Sequence, residues 1–375
     1  MATFTPVVLS AIFFAQVLLT DAAVIPGGSG SDSLFAVNEL LAGRFKWIIS
    51  PPLVSPPEVR LGTPYGGVPR TADRPTDTLY SIKDPTVVYY KGRWHLFCTI
   101  RGKQRSHQIE YLCFEDWTKV NTGKRRMLKL TDGYFCAPQV FYFRPHKKWY
   151  LICQASDESW DPQYGASYAT TTDIAEPASW SKLRPLGQKR ANGKAGLDFW
   201  IICDDVKAYL FFTTLDGRMW REETPLREFP KGWSEPVLAI RGDIFEASHT
   251  YYLKGLSVRT PKEKKYLTVV EAQAGGRRYY KAYLAEKLDG QWTPLAATKD
   301  KPFAGPVNTR HTGTHWTDSF SHGELIRDGF DQTHTVNPAD LRFLFQGVSD
   351  EAKAGKKYGQ IPWRLGMLEP AQWGG

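Results

Sequence analysis

Several features are scarce in this sequence, and each scarcity closes off a class of protein. Past the first twenty residues no apolar stretch is long enough to cross a bilayer, so a helical membrane protein is excluded over that part. Helical periodicity is nearly missing from Lys83 onward, which argues against a helical bundle or a doubly wound α/β domain. Cysteine is sparse: Cys98, Cys113, Cys136, Cys153 and Cys203 are an odd set with no Cys-x-x-Cys or Cys/His cluster, so no zinc site is indicated. Each lies in an apolar, strand-like run, as a buried thiol would. Low-complexity tracts are lacking, which leaves a globular chain with ample length for a large core.

Aromatic residues are plentiful, with 13 Trp, 18 Tyr and 20 Phe, and they favour strands and flat apolar ligands such as sugar rings. The formal charge of +9 reads as a solvated basic surface, or as attraction to acidic cell-wall polymers. Nucleic acid is not expected as a partner, because the basic residues are scattered. Their densest cluster, Lys124, Arg125, Arg126 and Lys129, fits one loop or edge strand. The apolar run at residues 6–19 has the length of a signal-peptide core, although a positive leading segment is missing. Residues 1–24 are therefore read as a signal peptide of a secreted chain. Residues 25–44 are read as a linker or disordered tail, and residues 45–375 as one catalytic domain.

The strands recur in five similar groups, starting near Lys83, Ala137, Leu197, Phe245 and Ser321. Each group is a strand, a charged or Gly turn, an aromatic-rich strand and further strands. A spacing of roughly 50–75 residues suits four-stranded blades, so the expected fold is an all-β, five-bladed β-propeller. A β-sandwich or two small β-domains would not explain the recurring order. Residues 45–50 (FKWIIS) read as the first strand.

In a propeller the first strand of each blade lines the central channel, so residues at equivalent starts converge. Those starts carry Asp84, Gln139 (beside Pro138), Asp198, Glu246 and His322. A carboxylate opening an apolar strand is costly to bury without a purpose. Three of them together suit glycosidic cleavage, where one acid gives a proton to the leaving oxygen and another, ionised, activates water. Glu246, with the longer side chain, is assigned as general acid, Asp84 as general base and Asp198 as the residue that tunes the acid's pKa. A non-catalytic carbohydrate-binding propeller remains the alternative from another class.

At these residues the chain resembles glycoside hydrolase family 62. The resemblance runs through FKWIIS, SIKDPTVVYYKGRWHLF, APQVFYFRPHKKWYL, LDFWIICDD, DIFEAS, LDGQWTPLAAT, SHGELIR and PWRLGMLEP in order, covering nearly all of residues 45–368. It implies a five-bladed propeller and an inverting, exo-acting α-L-arabinofuranosidase that removes arabinose from arabinoxylan of the plant cell wall. Neighbouring activities of the same style, β-xylosidase or arabinanase, are the alternatives. The resemblance also implies sugar contacts from Lys83 and Tyr358, and a histidine, His322, beside a structural calcium on the axis; no cofactor is needed for the chemistry. A monomer is expected. The chain departs from the family pattern at an insertion, ASDESWDPQYG, whose Trp160 or Tyr164 would offer a stacking ring. It also departs at Ala208, where a second cysteine is usual, at Gly359, where a polar residue is usual, and in an enlarged hairpin, SVRTPKEKK.

Overall fold

The computed structural model describes residues 30–56, 78–103, 106–122, 124–187, 195–255 and 266–371. The expected signal peptide and the SVRTPKEKK hairpin lie outside these residues. Within them the chain forms five mainly antiparallel sheets of four or five strands, one per sequence group, arranged as a five-bladed propeller.

Blade I comprises Leu79–Tyr90, Arg93–Gly102, Gln108–Phe114 and Lys124–Met127. Blade II comprises Phe135–Phe143, Lys148–Ser156, Tyr164–Thr171 and Arg184–Pro185. Blade III comprises Leu197–Cys203, Lys207–Thr213, Arg218–Pro225 and Val237–Arg241. Blade IV comprises Ser248–Leu253, Tyr266–Ala274, Arg277–Ala285 and Thr293–Ala296, with Thr335–Val336 added in parallel to its first strand. Blade V is built from both ends of the fold. Its strands Ser319–Leu325, Phe343–Val348 and Arg364–Pro370 are joined by Trp47–Ile49, which pairs antiparallel with the last of them, and by Thr309–His311. The strand read first in the sequence thus completes the last blade, which removes two free sheet edges and closes the ring.

The aromatic side chains are the mortar between blades. One buried cluster, including Phe97, Trp149 and Trp180, fills the space between blades I and II. A second, with Phe141, Phe199 and Phe229, lies between II and III. A third, with Trp47, Phe303 and Phe343, joins III, IV and V. A fourth, with Val87, Leu344 and Leu365, joins V back to I. Burial of such side chains contributes about 1.5–3 kcal/mol each, and here it acts mostly across blade boundaries.

One detail departs from the sequence reading and one refines it. Residues 30–41, expected to lie in a linker, form the helix Gly30–Leu41, because the apolar Leu40 near its end is buried in the cluster that joins blades III to V. The basic cluster is an edge strand of blade I, and its Arg125 is not displayed: it is buried in a two-pronged pair with Glu110 (3.0 and 2.7 Å). All five cysteines are free, four of them buried. Burial pushes the Cys153 thiol up to about 12 and those of Cys98, Cys136 and Cys203 well up, so they sit as inert hydrophobes.

Candidate active site

The inner strands of blades I, II and III each break register near the residue before a candidate site position, and blade I has a further shift between Leu79 and Ser81. The pairing skips from Lys83 to Thr86, from Cys136 to Gln139 and from Leu197 to Trp200. At the break sits a non-glycine residue with positive φ: Asp84 (48°), Ala137 (52°) and Asp198 (53°), with Ala247 (50°) matching in blade IV. Such a conformation costs about 1–2 kcal/mol for an L-residue. A bulge of this kind re-aims a side chain, and here it turns the residue off the blade toward the axis.

Each bulge is held by the preceding blade. The Asp84 N–H donates to Gln346 Oε1 (2.8 Å), the Ala137 N–H to Thr99 Oγ1 (2.9 Å) and the Asp198 N–H to Gln154 Oε1 (3.0 Å). The His322 N–H, at the corresponding break of blade V, donates to Glu271 Oε2 (2.9 Å). Thr99, Gln154 and Gln346 occupy the same register position on their blades' second strands, opposite Lys83, Cys136 and Ser321. Glu271 matches them, since it pairs with Phe245 and Glu246. Blade III carries Thr213 at that place, and there Asp198 Oδ2 itself accepts the Ala247 N–H (3.0 Å).

This frame corrects two sequence alignments. The blade II counterpart of Asp84 is Ala137, not Gln139. Gln139 is buried and braces blade III instead, donating to the Ile201 carbonyl (2.6 Å) and accepting from its N–H (2.8 Å). In blade IV the bulge residue is Ala247, so Glu246 stands one position ahead of the other two acids. That offset leaves its side chain the most exposed of the three, 14% against 7% for Asp84 and Asp198.

The structure brings Asp84, Asp198, Glu246, His322, Lys83 and Tyr358 into one cluster. His322 Nδ1 lies 3.5 Å from Asp84 Oδ1 and 3.7 Å from Asp198 Oδ1. Lys83 Nζ donates to the Tyr358 hydroxyl at 3.5 Å and lies over its ring. Trp160 stands elsewhere. It is half-buried against the cluster between blades I and II, in a groove with Pro162, Tyr164 and Pro185. The other candidate ring of the insertion, Tyr164, is nearer, since Asp198 contributes to the field that raises its phenol.

The three acids have different environments. Burial works to raise Asp84, but the Lys83 ammonium, His322 and a hydrogen bond from Thr99 outweigh it and hold this carboxyl below its usual range. Asp198 is pushed well up by burial and by the charges of Glu246 and Asp84. Lys83 loses solvation on burial, yet the field of Asp84, with Tyr358, Cys136 and Glu246 behind it, keeps it firmly protonated. The cluster therefore sets one carboxyl, Asp84, below its ordinary range and another, Asp198, well above it. Two titratable groups pushed apart in this way are what acid–base catalysis requires.

Sequence reasoning missed Arg278 and Glu271. Arg278 Nη1 contacts Glu246 Oε1, Glu271 Oε1 (2.8 Å) and Ser321 Oγ (2.9 Å). Its guanidinium lies among the rings of Phe245, Tyr358 and Trp363. The run GGRRYY looked like an ordinary charged hairpin turn, and nothing in it signals that one arginine folds inward. At Gly359, a Cβ would come within 2.9 Å of Arg101 Nη2, so an arginine from blade I fills the space a polar side chain would need.

A calcium ion prefers six to eight oxygen ligands. Among the described residues no group of three or more His, Cys, Asp or Glu side chains is arranged to hold a metal, and His322 faces two acids already paired with protein groups.

A five-bladed propeller with clustered buried acids shifted in opposite directions has the architecture of a glycoside-cleaving hydrolase. Residues 70–369 match Glycosyl hydrolase family 62, and the chain belongs to that family. It is 40% identical over 295 residues to alpha-L-arabinofuranosidase C of Cellvibrio japonicus, covering 77% of this chain and 44% of that protein, so it spans less than half the length of that curated relative. Among solved structures it is similar to the catalytic domain of a family 62 α-L-arabinofuranosidase from Coprinopsis cinerea, with 33% identity, a TM-score of 0.76 and coverage of 88% and 98% of the two chains. It is also similar to an α-L-arabinofuranosidase of Podospora anserina in complex with cellotriose, with 32% identity, a TM-score of 0.74 and the same coverage.

Proposed function

We propose that this chain is an inverting, exo-acting α-L-arabinofuranosidase that releases arabinose side groups from arabinoxylan. The observation that carries the reading is the convergence of three carboxyls from three blades: Asp84, buried and held below its usual range, Asp198, raised beside it, and the more exposed Glu246. In one turnover Asp84 takes a proton from a water whose oxygen bonds to the anomeric carbon. The glycosidic C–O bond breaks on the opposite face, and Glu246 gives its proton to the departing xylose oxygen. Solvent then removes the proton from Asp84 and restores the one on Glu246. Asp198, which accepts the Ala247 N–H and is raised well above its ordinary range, stands beside the acid and tunes it. Lys83 and Tyr358 bind the arabinose, and Trp160 offers a flat face farther along the polymer. The apolar N-terminal run supports export to the plant cell wall, where such a polymer is met, and the enzyme acts there as a monomer.

An NMR time course of the sugar released from arabinoxylan tests this directly. Free arabinose should appear first as the anomer opposite in configuration to the linkage cleaved. Linear arabinan and xylo-oligosaccharides should yield little. Initial release of the retained anomer, or faster attack on arabinan, would overturn the reading.

The pH dependence follows from the two opposed shifts. The base works ionised, and Asp84 lies below its ordinary 3.8, so the acid limb of kcat/KM should fall below about pH 4. Asp198 is raised, so its proton is lost only well above that, and activity should decline on the alkaline side as it leaves. Rates measured from pH 3 to 9 check both limbs; an acid limb above pH 6 would be incompatible with Asp84 as the base.

A further inference from the structure

The ring of side chains that hold the bulges has one odd member. Thr99, Gln154 and Gln346 are neutral, and each accepts one N–H from the next blade. Glu271 stands at the same position, fully buried, and carries a carboxyl, which burial pushes up to about 7 against the opposing field of Arg278. Its Oε2 accepts the His322 N–H and the Ser321 hydroxyl (both 2.9 Å), while Oε1 accepts from Arg278. Bulge support alone does not need a carboxylate, because amides perform it in blades II and V.

We propose that Glu271 is a positioning residue for the general acid: it holds Arg278 so that the guanidinium orients Glu246 without being wholly committed to it. The proposal rests on Glu246 being the acid. Arg278 Nη1 is divided among Glu246, Glu271 and Ser321, and three rings wall its guanidinium in. The same network reaches the base. Gln346 Nε2 donates to Ser321 Oγ (3.0 Å), and Gln346 Oε1 accepts the Asp84 N–H. A single run of hydrogen bonds thus spans from the acid's carboxyl to the base's backbone, with Glu271 and Ser321 at its centre. The other charged groups acting on Glu246 and its neighbours are Asp198, Asp84 and Lys83, and none of them touches Arg278 in the contacts that hold it.

Glu271→Gln is the test, because Gln154 and Gln346 show that an amide suits this place in the ring. Steady-state kinetics are measured on an arabinoxylan oligosaccharide, whose leaving oxygen needs a proton, and on a nitrophenyl arabinofuranoside, whose leaving group hardly does. Misplacing a catalytic group by about 1 Å can cost about 100-fold, so kcat on the oligosaccharide should fall by roughly 10–100-fold with KM changed less than about twofold. The nitrophenyl substrate should lose no more than about threefold. Arg278→Lys, which keeps a cation but not the three-way reach, should show the same split. Equal losses on both substrates, no loss on either, or a variant that does not fold would overturn the proposal. Glu246→Gln serves as the control: if it shows no dependence on leaving group, the general-acid reading itself fails and this inference falls with it.

Discussion

Glu246→Gln should lower kcat on arabinoxylan by about 10³-fold, in the middle of the 10²–10⁴ range for a general acid. That loss corresponds to about 4 kcal/mol of transition-state stabilisation. The amide is nearly the same size and still accepts from Arg278, so KM should move little. What disappears is the proton for the xylose oxygen, a poor leaving group as an alkoxide. A nitrophenolate leaves without that help, so hydrolysis of the nitrophenyl glycoside should be reduced far less. Asp84→Asn is expected to behave differently, losing both substrates alike, because water must be activated whatever departs. Comparable losses on the two substrates in Glu246→Gln would remove its assignment as the acid. Full activity in either variant would remove the mechanism.

Arg327→Met should weaken the fold itself, and by more than any of the changes in the acid cluster. Arg327 Nε lies 2.6 Å from Glu324 Oε1, and both side chains are fully buried. Its Nη1 donates to the Val140 carbonyl of blade II, and its Nη2 to the Val87 carbonyl of blade I (both 2.9 Å). One blade V side chain thus ties the inner strands of two other blades. Removing one partner of a buried pair costs about 3–5 kcal/mol, because the other is left uncompensated. At roughly 2 °C per kcal/mol for a large domain, thermal unfolding should come about 6–10 °C earlier.

The pH dependence of that loss can be signed. Burial raises Glu324 to about 7 even with Arg327 opposing it. A carboxyl raised on folding contributes stability below its unfolded pKa, near 4.5, and loses it as pH rises through the folded value. Without Arg327 the folded value rises further, so the gap between wild type and variant should widen from pH 5 to pH 8. Adding Glu324→Gln should recover part of the loss at pH 8. A gap that narrows with rising pH would contradict the role given to the pair.

Much of this molecule was legible along the chain. The five-group repeat marked the five blades, because alternating aromatic strands between Gly and charged turns have few other ways to bury their faces. Asp84, Asp198 and Glu246 were visible as acids opening apolar strands, where an ionised group is otherwise costly. The helix Gly30–Leu41 was not visible, since its small and polar residues resemble a linker and only the docking of Leu40 on distant blades makes sense of it. Nor was Gln139's true place, because a two-residue shift within a bulge cannot be seen until the pairing partner is known.

By itself, then, the order of residues determined the blade count, the strand content, the family and the identity of the three acids, all of which depend on local pattern and spacing. Tertiary structure decided which blade takes the Trp47–Ile49 strand, which acid is the most exposed, which carboxyl is shifted down and which up, and that Arg278 and Glu271 join the cluster. The reason is physical: a buried carboxyl's protonation and aim are set by charges and hydrogen bonds from neighbouring blades, and those neighbours are tens to hundreds of residues away along the chain.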